Sequence, residues 1–225
     1  MSAPVSVIIP VYNGERFLAA AIESALVQTH APAEVIVVDD GSTDSSATIA
    51  ESFASVRCIR TPNQGVSRAR NRGVEAATGE WVAFLDADDT WRPEKLAVQL
   101  ARAGEEAGSE LVICHCRFAF EGEVPGWFWH ESTEVEIPAY EPSSWLVRRE
   151  TFARVGGFDE GRRLGEDLEW LARARDHGVQ ALVAPETLLI RRIHDANATG
   201  TIPSHRRVLM DILRESVQRK RGPRA

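Results

Sequence analysis

The run Asp86-Ala87-Asp88-Asp89 places three carboxylates directly behind the apolar stretch Trp81 to Leu85. Two carboxylates two residues apart at the end of a buried strand reach one divalent ion and a ribose beside it. Mg2+ and Mn2+ favour such hard oxygen ligands and keep positions open for phosphate oxygens. The same residues also read as an acidic turn ahead of a helix that starts at Pro93. Three aspartates exceed what a cap needs, because clustered carboxylates repel unless a cation neutralises them. Asp39-Asp40-Gly41-Ser42 carries the same two readings. Ser42 or Asp44 suits a helix cap, whereas Asp40 is left over to accept a hydrogen bond from the ring N–H of uracil or guanine. Arg68 and Arg70 follow Asn63-Gln64-Gly65 at the start of a helical stretch, where arginine engages phosphate or orients the acidic cluster. A solvated basic face accounts for Arg68 and Arg72 equally well. Glu166-Asp167 opens another helix, a place where the macrodipole alone favours acids.

The elements that must position these groups follow from apolar spacing. Val5 to Val11 is a β-branched run and reads as a buried strand. Phe17, Leu18, Ala21, Ile22, Ala25 and Leu26 form one face of a helix that Pro32 closes. Strands are predicted at Val35 to Val38, Val56 to Arg60 and Trp81 to Leu85, with helices after the second, at Val66 to Ala77, and from Pro93 through Glu106. Short apolar strands alternating with helices define an α/β fold with a parallel sheet covered on both faces. Both acidic turns then lie at strand C-terminal ends, where open α/β sheets bind ligands. Beyond that, Leu111 to Phe120 reads as a strand and Gly122 to Pro142 as irregular. Trp145 to Val147 is a short strand, Thr151 to Val155 a helical turn, and Gly156-Gly157 a break. Glu166 to His177 is a helix with Leu168, Leu171 and Ala172 on its apolar face. Gln180 to Ala184 and Thr187 to Ile193 form a closing strand pair, and Pro203 to Arg219 a last helix with a basic tail.

Composition narrows the function classes. The chain has 225 residues, 44% hydrophobic and 26% charged, which suits one domain with a substantial core. A net charge of -7 argues against nucleic acid as a partner, since phosphate backbones need a basic surface. Cys58, Cys114 and Cys116 make no disulfide framework. Cys114-His115-Cys116 resembles half a metal site, but the second pair of ligands is missing. Asn197-Ala198-Thr199 is a formal glycosylation triplet with nothing else pointing to secretion. Met1 to Val5 lacks signal-peptide character and no apolar run reaches membrane-spanning length, so a cytoplasmic protein is expected. The basic tail, with Arg214, Arg219, Lys220, Arg221 and Arg224, reads as a solvated terminus or as a peripheral contact with an anionic membrane face. Trp127, Phe128 and Trp129 suit a sugar-stacking platform or a cover for the core.

Taken in order, these segments closely resemble the inverting family 2 glycosyltransferases of GT-A fold. Val7-Ile8-Ile9-Pro10-Val11-Tyr12-Asn13 resembles the opening strand, Asp39-Asp40-Gly41-Ser42-Thr43-Asp44 the nucleotide-reading turn, and Ala69-Arg70-Asn71 with Gly73 the third signature. Asp86-Ala87-Asp88-Asp89 resembles the DXD metal motif, and Gly156-Gly157-Phe158-Asp159 with Glu166-Asp167 the acceptor-side segment. Arg192-Ile193-His194 with Asn197 resembles a late motif facing metal and diphosphate. The resemblance implies a single GT-A domain over residues 1–203, its mainly parallel central sheet sandwiched by helices. Residues 1–107 would form the nucleotide half, 108–203 the acceptor half, and 204–225 a C-terminal helix and tail. It implies that Pro10 and Tyr12 flank the donor base, that Asp40 bonds it, and that Glu15 and Arg70 lie on the donor side. Asp86 would hold the ribose or the water shell of a divalent cation, Mn2+ or Mg2+. Asp88 would ligate that cation, His194 would be a second metal or diphosphate contact, and Asp167 the general base. The donor would be a nucleotide sugar, UDP-hexose by default, and the acceptor a glycan, lipid-linked or other hydroxyl. The family's Gln-x-x-Arg-Trp is absent, so one transfer per encounter is expected rather than processive synthesis. A sugar nucleotidyltransferase would carry a Gly-rich loop after the first strand, where Tyr12-Asn13-Gly14-Glu15 stands instead. A non-catalytic binding homologue would have no need of Asp88 and Asp167.

Overall fold

A computed structural model describes residues 3–124, 128, 135–195, 197 and 205–221. Four strands form the parallel half of one sheet: β1 (Val5–Val11), β2 (Glu34–Asp39), β3 (Val56–Arg60) and β4 (Trp81–Phe84). They stand in the order β3-β2-β1-β4. Every residue of β1 is buried on both faces, as expected of a β-branched run beneath two helix layers. The crossovers are α1 (Leu18–Leu26), α2 (Ser46–Ser52) and α3 (Val66–Ala76). Close packing of α3 needs a glycine, since a Cβ at Gly73 would lie 2.3 Å from Ile8 Cγ2 in the central strand.

The sheet continues into the second half without a break. β8 (Leu146–Arg148) pairs antiparallel with β4, and β6 (Leu111–Phe120) pairs antiparallel with β8. β9 (Ala181–Ile193) then runs parallel to β6. Two very short strands were not foreseen: β5 (Thr90–Trp91) pairs with β9 at the edge, and β7 (Ile137–Pro138) pairs with β6. The remaining helices are α4 (Lys95–Glu105), α5 (Arg149–Val155), α6 (Glu166–Asp176) and α7 (His205–Arg221), with a 3-10 turn at Pro142–Ser144. The result is an α/β fold whose long pairings are parallel and whose sheet is flanked by helices.

Two expectations need correction. The closing strand pair is a single strand, β9. Its register against β6 slips from Cys114 opposite Ala184 to His115 opposite Thr187 and Cys116 opposite Leu189. Pro185 lacks an N–H for the ladder, so the chain bulges there and resumes instead of turning back. The second correction concerns α6, which buries Trp170 and Ala174 and leaves Leu168, Leu171 and Ala172 half-buried. Trp170 packs against Trp145, Phe152 and Phe158, at ring centroids 5.2, 4.7 and 6.1 Å away, and that aromatic area outweighs the aliphatic stripe. Of the two cap candidates for α2, Asp44 takes the role, its Oδ1 accepting the N–H of Ser46, the first residue of the helix, at 2.9 Å. Ser42 Oγ accepts the N–H of Asn13, and Asp44 accepts those of Ser46 and Glu15, which ties the loops after β1 and β2 together.

Candidate active site

The loops at the C-terminal ends of β1, β2 and β4 build one rim. Glu15 donates its N–H to Asp44 and in turn its Oε2 accepts the N–H of Ser45 at 2.9 Å. Asn13 adopts φ 51° and accepts from the Thr43 N–H at 2.8 Å. Pro10 is buried in β1 opposite Val38, whereas Tyr12 is 52% exposed and stands free at the rim. Asp40 is buried, and both its oxygens are engaged: Oδ1 by the N–H of Gln64 at 2.9 Å, Oδ2 by that of Gly65 at 2.7 Å. It thereby clasps the loop that opens α3, a role the sequence did not suggest. Gly41 makes that approach possible, because a Cβ there would lie 2.7 Å from the backbone nitrogen of Asn63. The neighbouring Asp39 is buried with Oδ2 left without a hydrogen bond, although the Arg60 guanidinium lies 3.7 Å away.

Arg70 joins the two halves of the rim. It lies 3% exposed on α3, and its terminal nitrogens donate to Asp86 Oδ1 at 2.7 Å and Glu166 Oε1 at 2.9 Å. Burial alone would lower its pKa, but the carboxylates of Asp86 and Glu166 raise it and lock the charge in place. Both ends of this guanidinium are thus held by protein carboxylates, which makes it a tie between the β4 loop and the start of α6. Glu166 is the residue that sequence reasoning passed over, because an acid at a helix start needs no further explanation. Beside it, burial and then the Glu166 charge push the Asp167 carboxyl up to about 6. Asn71 holds the same segment from α3, donating to the Phe158 carbonyl at 2.9 Å and accepting the Phe158 N–H at 2.8 Å.

On the other side of Asp86, the Oδ2 of Asp88 lies 3.1 Å from His194 Nε2 and 3.1 Å from Asn197 Nδ2. His194 is fixed by Asn197, whose Oδ1 accepts its N–H at 2.6 Å, and by the Phe17 ring 4.7 Å away. Asp89, also missed, accepts the Arg192 N–H at 3.0 Å and so anchors the end of β9 to the loop. Burial and the neighbouring Asp86 raise the pKa of Asp88, and burial with Asp88 and Asp86 raises that of Asp89 well above the usual range. Carboxylates crowded in this way are short of positive charge. A hard or borderline cation suits this donor set, one carboxylate oxygen and one imidazole nitrogen with an amide beside them. Among the described residues no group of three His, Cys, Asp or Glu side chains is arranged as a complete metal site.

Other candidates fall away from this rim or outside the described residues. Cys114 and Cys116 are buried, and burial raises both thiols, Cys114 to about 11. Phe128 packs edge-on against Phe118 and Phe120, while Trp127 and Trp129 lie outside the described residues. Arg214 and Arg219 pair with Asp211, Asp176 and Glu169 on the last two helices. The side chains of Lys220 and Arg221, and all of Arg224, lie outside the described residues. No helix among the described residues is long and apolar enough to cross a membrane.

The acidic residues thus gather at the C-terminal ends of the parallel strands, where open α/β sheets bind ligands. Residues 6–163 match the sequence profile of Glycosyl transferase family 2, and the chain belongs to that family of glycosyltransferases. It is 41% identical over 121 residues to the putative glycosyltransferase EpsH of Bacillus subtilis, covering 52% of this chain and 35% of that one. It is 31% identical over 225 residues to the succinoglycan biosynthesis protein ExoO of Rhizobium meliloti, covering 88% and 63%. The chain therefore spans less than two thirds of the length of either relative. Its fold matches S. aureus TarS 1-349 in complex with UDP-GlcNAc, with a TM-score of 0.75 at 22% identity, over 95% of this chain and 65% of that one.

Proposed function

We propose that this chain transfers a hexose from a UDP-linked donor to an acceptor hydroxyl, with inversion at the anomeric carbon and with Mn2+ or Mg2+ as cofactor. The observation that carries this reading is the Arg70 tie, which brings the Asp86 loop and the Asp167 helix start to one place. Asp88 and His194 would hold the cation, with Asn197 alongside, and Asp86 would face the ribose. Bound there, the cation would neutralise charge gathering on the leaving diphosphate. Tyr12 would stack on the base, with Pro10 beneath it and Glu15 holding the loop. Asp40, clasped to the loop that opens α3, and the buried Asp39 close the base end of the site. Arg70 acts by orienting Asp86 and Glu166 toward the donor side.

Asp167 would take the proton of the acceptor hydroxyl as that oxygen attacks the anomeric carbon. The C–O bond to the diphosphate breaks on the opposite face, so one catalytic carboxylate suffices and no glycosyl–enzyme intermediate forms. Holding donor and acceptor in line contributes on the order of 7–11 kcal/mol at best. TarS, which shares the fold, is described in complex with UDP and with UDP-GlcNAc, which supports UDP as the nucleotide. The acceptor would be a glycan, a lipid-linked sugar or another hydroxyl compound.

The test is turnover of UDP-sugars with and without Mn2+ in wild type, Asp88→Ala and Asp167→Asn. Asp88→Ala should remove the metal-dependent rate, a loss of roughly a hundredfold or more. Asp167→Asn should lose a comparable factor from kcat while UDP binding survives. Full activity in both variants would end this reading.

A further inference from the structure

The ammonium of Lys95 takes no part in the roles above, yet it is fully buried, at 0% exposure, on the first turn of α4. Burial lowers its pKa to about 8. Its neighbours are neutral: Nζ donates to Gln99 Oε1 at 2.8 Å and lies 4.1 Å from the centroid of the Trp91 ring, with the Cys114 thiol nearby. A buried cation without a carboxylate partner is costly, and replacing it by an apolar residue of similar volume is often neutral or stabilising. Stability alone gives no reason for it.

Its two contacts converge on one place. An ammonium only donates and a carbonyl only accepts, so Lys95 holds the Oε1 end of the Gln99 amide while two backbone carbonyls hold the other. Gln99 Nε2 donates to the carbonyls of Ser144 at 2.7 Å and Val112 at 3.0 Å. Trp91 Nε1 donates to the carbonyl of Ser143 at 2.8 Å. The two residues held by Lys95 therefore fasten consecutive carbonyls of the Pro142–Ser144 turn. The same turn receives the catalytic loop, since Ser143 Oγ accepts the N–H of Asp86 at 3.0 Å.

We propose that Lys95 is a positioning residue for the donor-and-cation loop. Through Gln99 and Trp91 it fixes the Pro142–Ser144 turn, and through Ser143 it fixes the backbone of Asp86, two residues from Asp88. The inference rests on the transferase reading only for what that loop binds.

The role requires two effects to part company. Lys95→Met retains the apolar stem and removes the buried charge, so the thermal midpoint should hold or rise. Gln99 Oε1 then loses its donor and the amide is held from one end only, so the 3-10 turn loosens and the cation binds less well. Mn2+ titrated in the presence of UDP, with free Mn2+ read by electron paramagnetic resonance, measures this apart from catalysis. Lys95→Met should weaken Mn2+ binding roughly tenfold, the scale expected for groups that orient a metal ligand. Ser143→Ala should do the same, and the double variant should be no worse than Ser143→Ala alone. If Lys95→Met fails to fold, Trp91→Phe keeps an aromatic ring beside the ammonium while removing the donor to Ser143 and part of the indole's bulk, and should also weaken Mn2+ binding. Wild-type Mn2+ affinity in Lys95→Met or in Trp91→Phe, or additive losses in the double variant, overturns the proposal. Weakened Mn2+ binding in these variants without sugar transfer by any form would support the positioning role and sink the transferase reading instead.

Discussion

At the scale of single residues, the proposed chemistry turns on the protonation of Asp167. Its carboxyl, raised from an ordinary 3.8 to about 6 by burial and by Glu166, is ionised at neutral pH yet far more basic than an exposed aspartate. A general base must be deprotonated, so kcat should fall about tenfold per pH unit below about 6 and level off above it. A profile flat down to pH 4.5 would remove Asp167 from that role. The stability sign runs the other way. A carboxyl whose folded pKa is raised favours the fold at low pH and opposes it once pH climbs through 3.8 toward 6. Asp167→Asn abolishes that cost, so the variant should be more stable than wild type by about 1–2 kcal/mol at pH 7.5 and no more stable at pH 4. Paired denaturant curves at the two pH values measure it. An inactive variant that is also the more stable one is the mark of a residue kept for chemistry.

At the scale of elements, the loops rather than the strands explain why the carboxylates stand where they do. Asp40 illustrates this, a buried side chain that spans from the end of β2 to the loop opening α3. Asp40→Ala leaves two backbone N–H groups without their acceptor and should cost about 2–3 kcal/mol, read as a lower denaturant midpoint at unchanged slope. A loss under about 0.5 kcal/mol, the usual size of a surface substitution, would mean that the clasp is unimportant. Gly73→Ala should destabilise by about 1–3 kcal/mol, because the new methyl meets Ile8 and α3 must lift from β1. The elements of the first half were legible in the sequence because β1, β2 and β4 are mainly buried apolar runs and α1 carries a clear apolar stripe. The second half was less so. Periodicity could not show that β9 survives a proline by bulging, nor that Trp170 would outcompete Leu168 and Leu171 for the interior. Strands of two residues, such as Thr90–Trp91, leave no period at all.

At the scale of the whole molecule, α3 and the Pro142–Ser144 turn hold two differently built halves around one rim. The acidic turns were legible because they hold more aspartates than a helix cap needs, although Asp40 and Asp89 turn out to fasten neighbouring loops, and the order of the motifs gave the family. Contacts between distant segments were not legible: Arg70 to Glu166 spans 96 positions and Asp86 to Ser143 spans 57, and no local spacing encodes either. Glu166 and Ser143 belong to residue types common at helix starts and turns, so their position in the fold, and nothing in their type, marks them. The central claim is that Asp88 and His194 form half of a cation shell completed by the donor's diphosphate. Calorimetric titration of UDP into the wild-type protein, in Mn2+ and then in excess chelator, tests it most directly. Affinity should drop at least about tenfold without the cation, and Asp88→Ala should show the weak value under both conditions. Equal affinity with and without Mn2+, or an Asp88→Ala variant that still gains from it, would contradict the account.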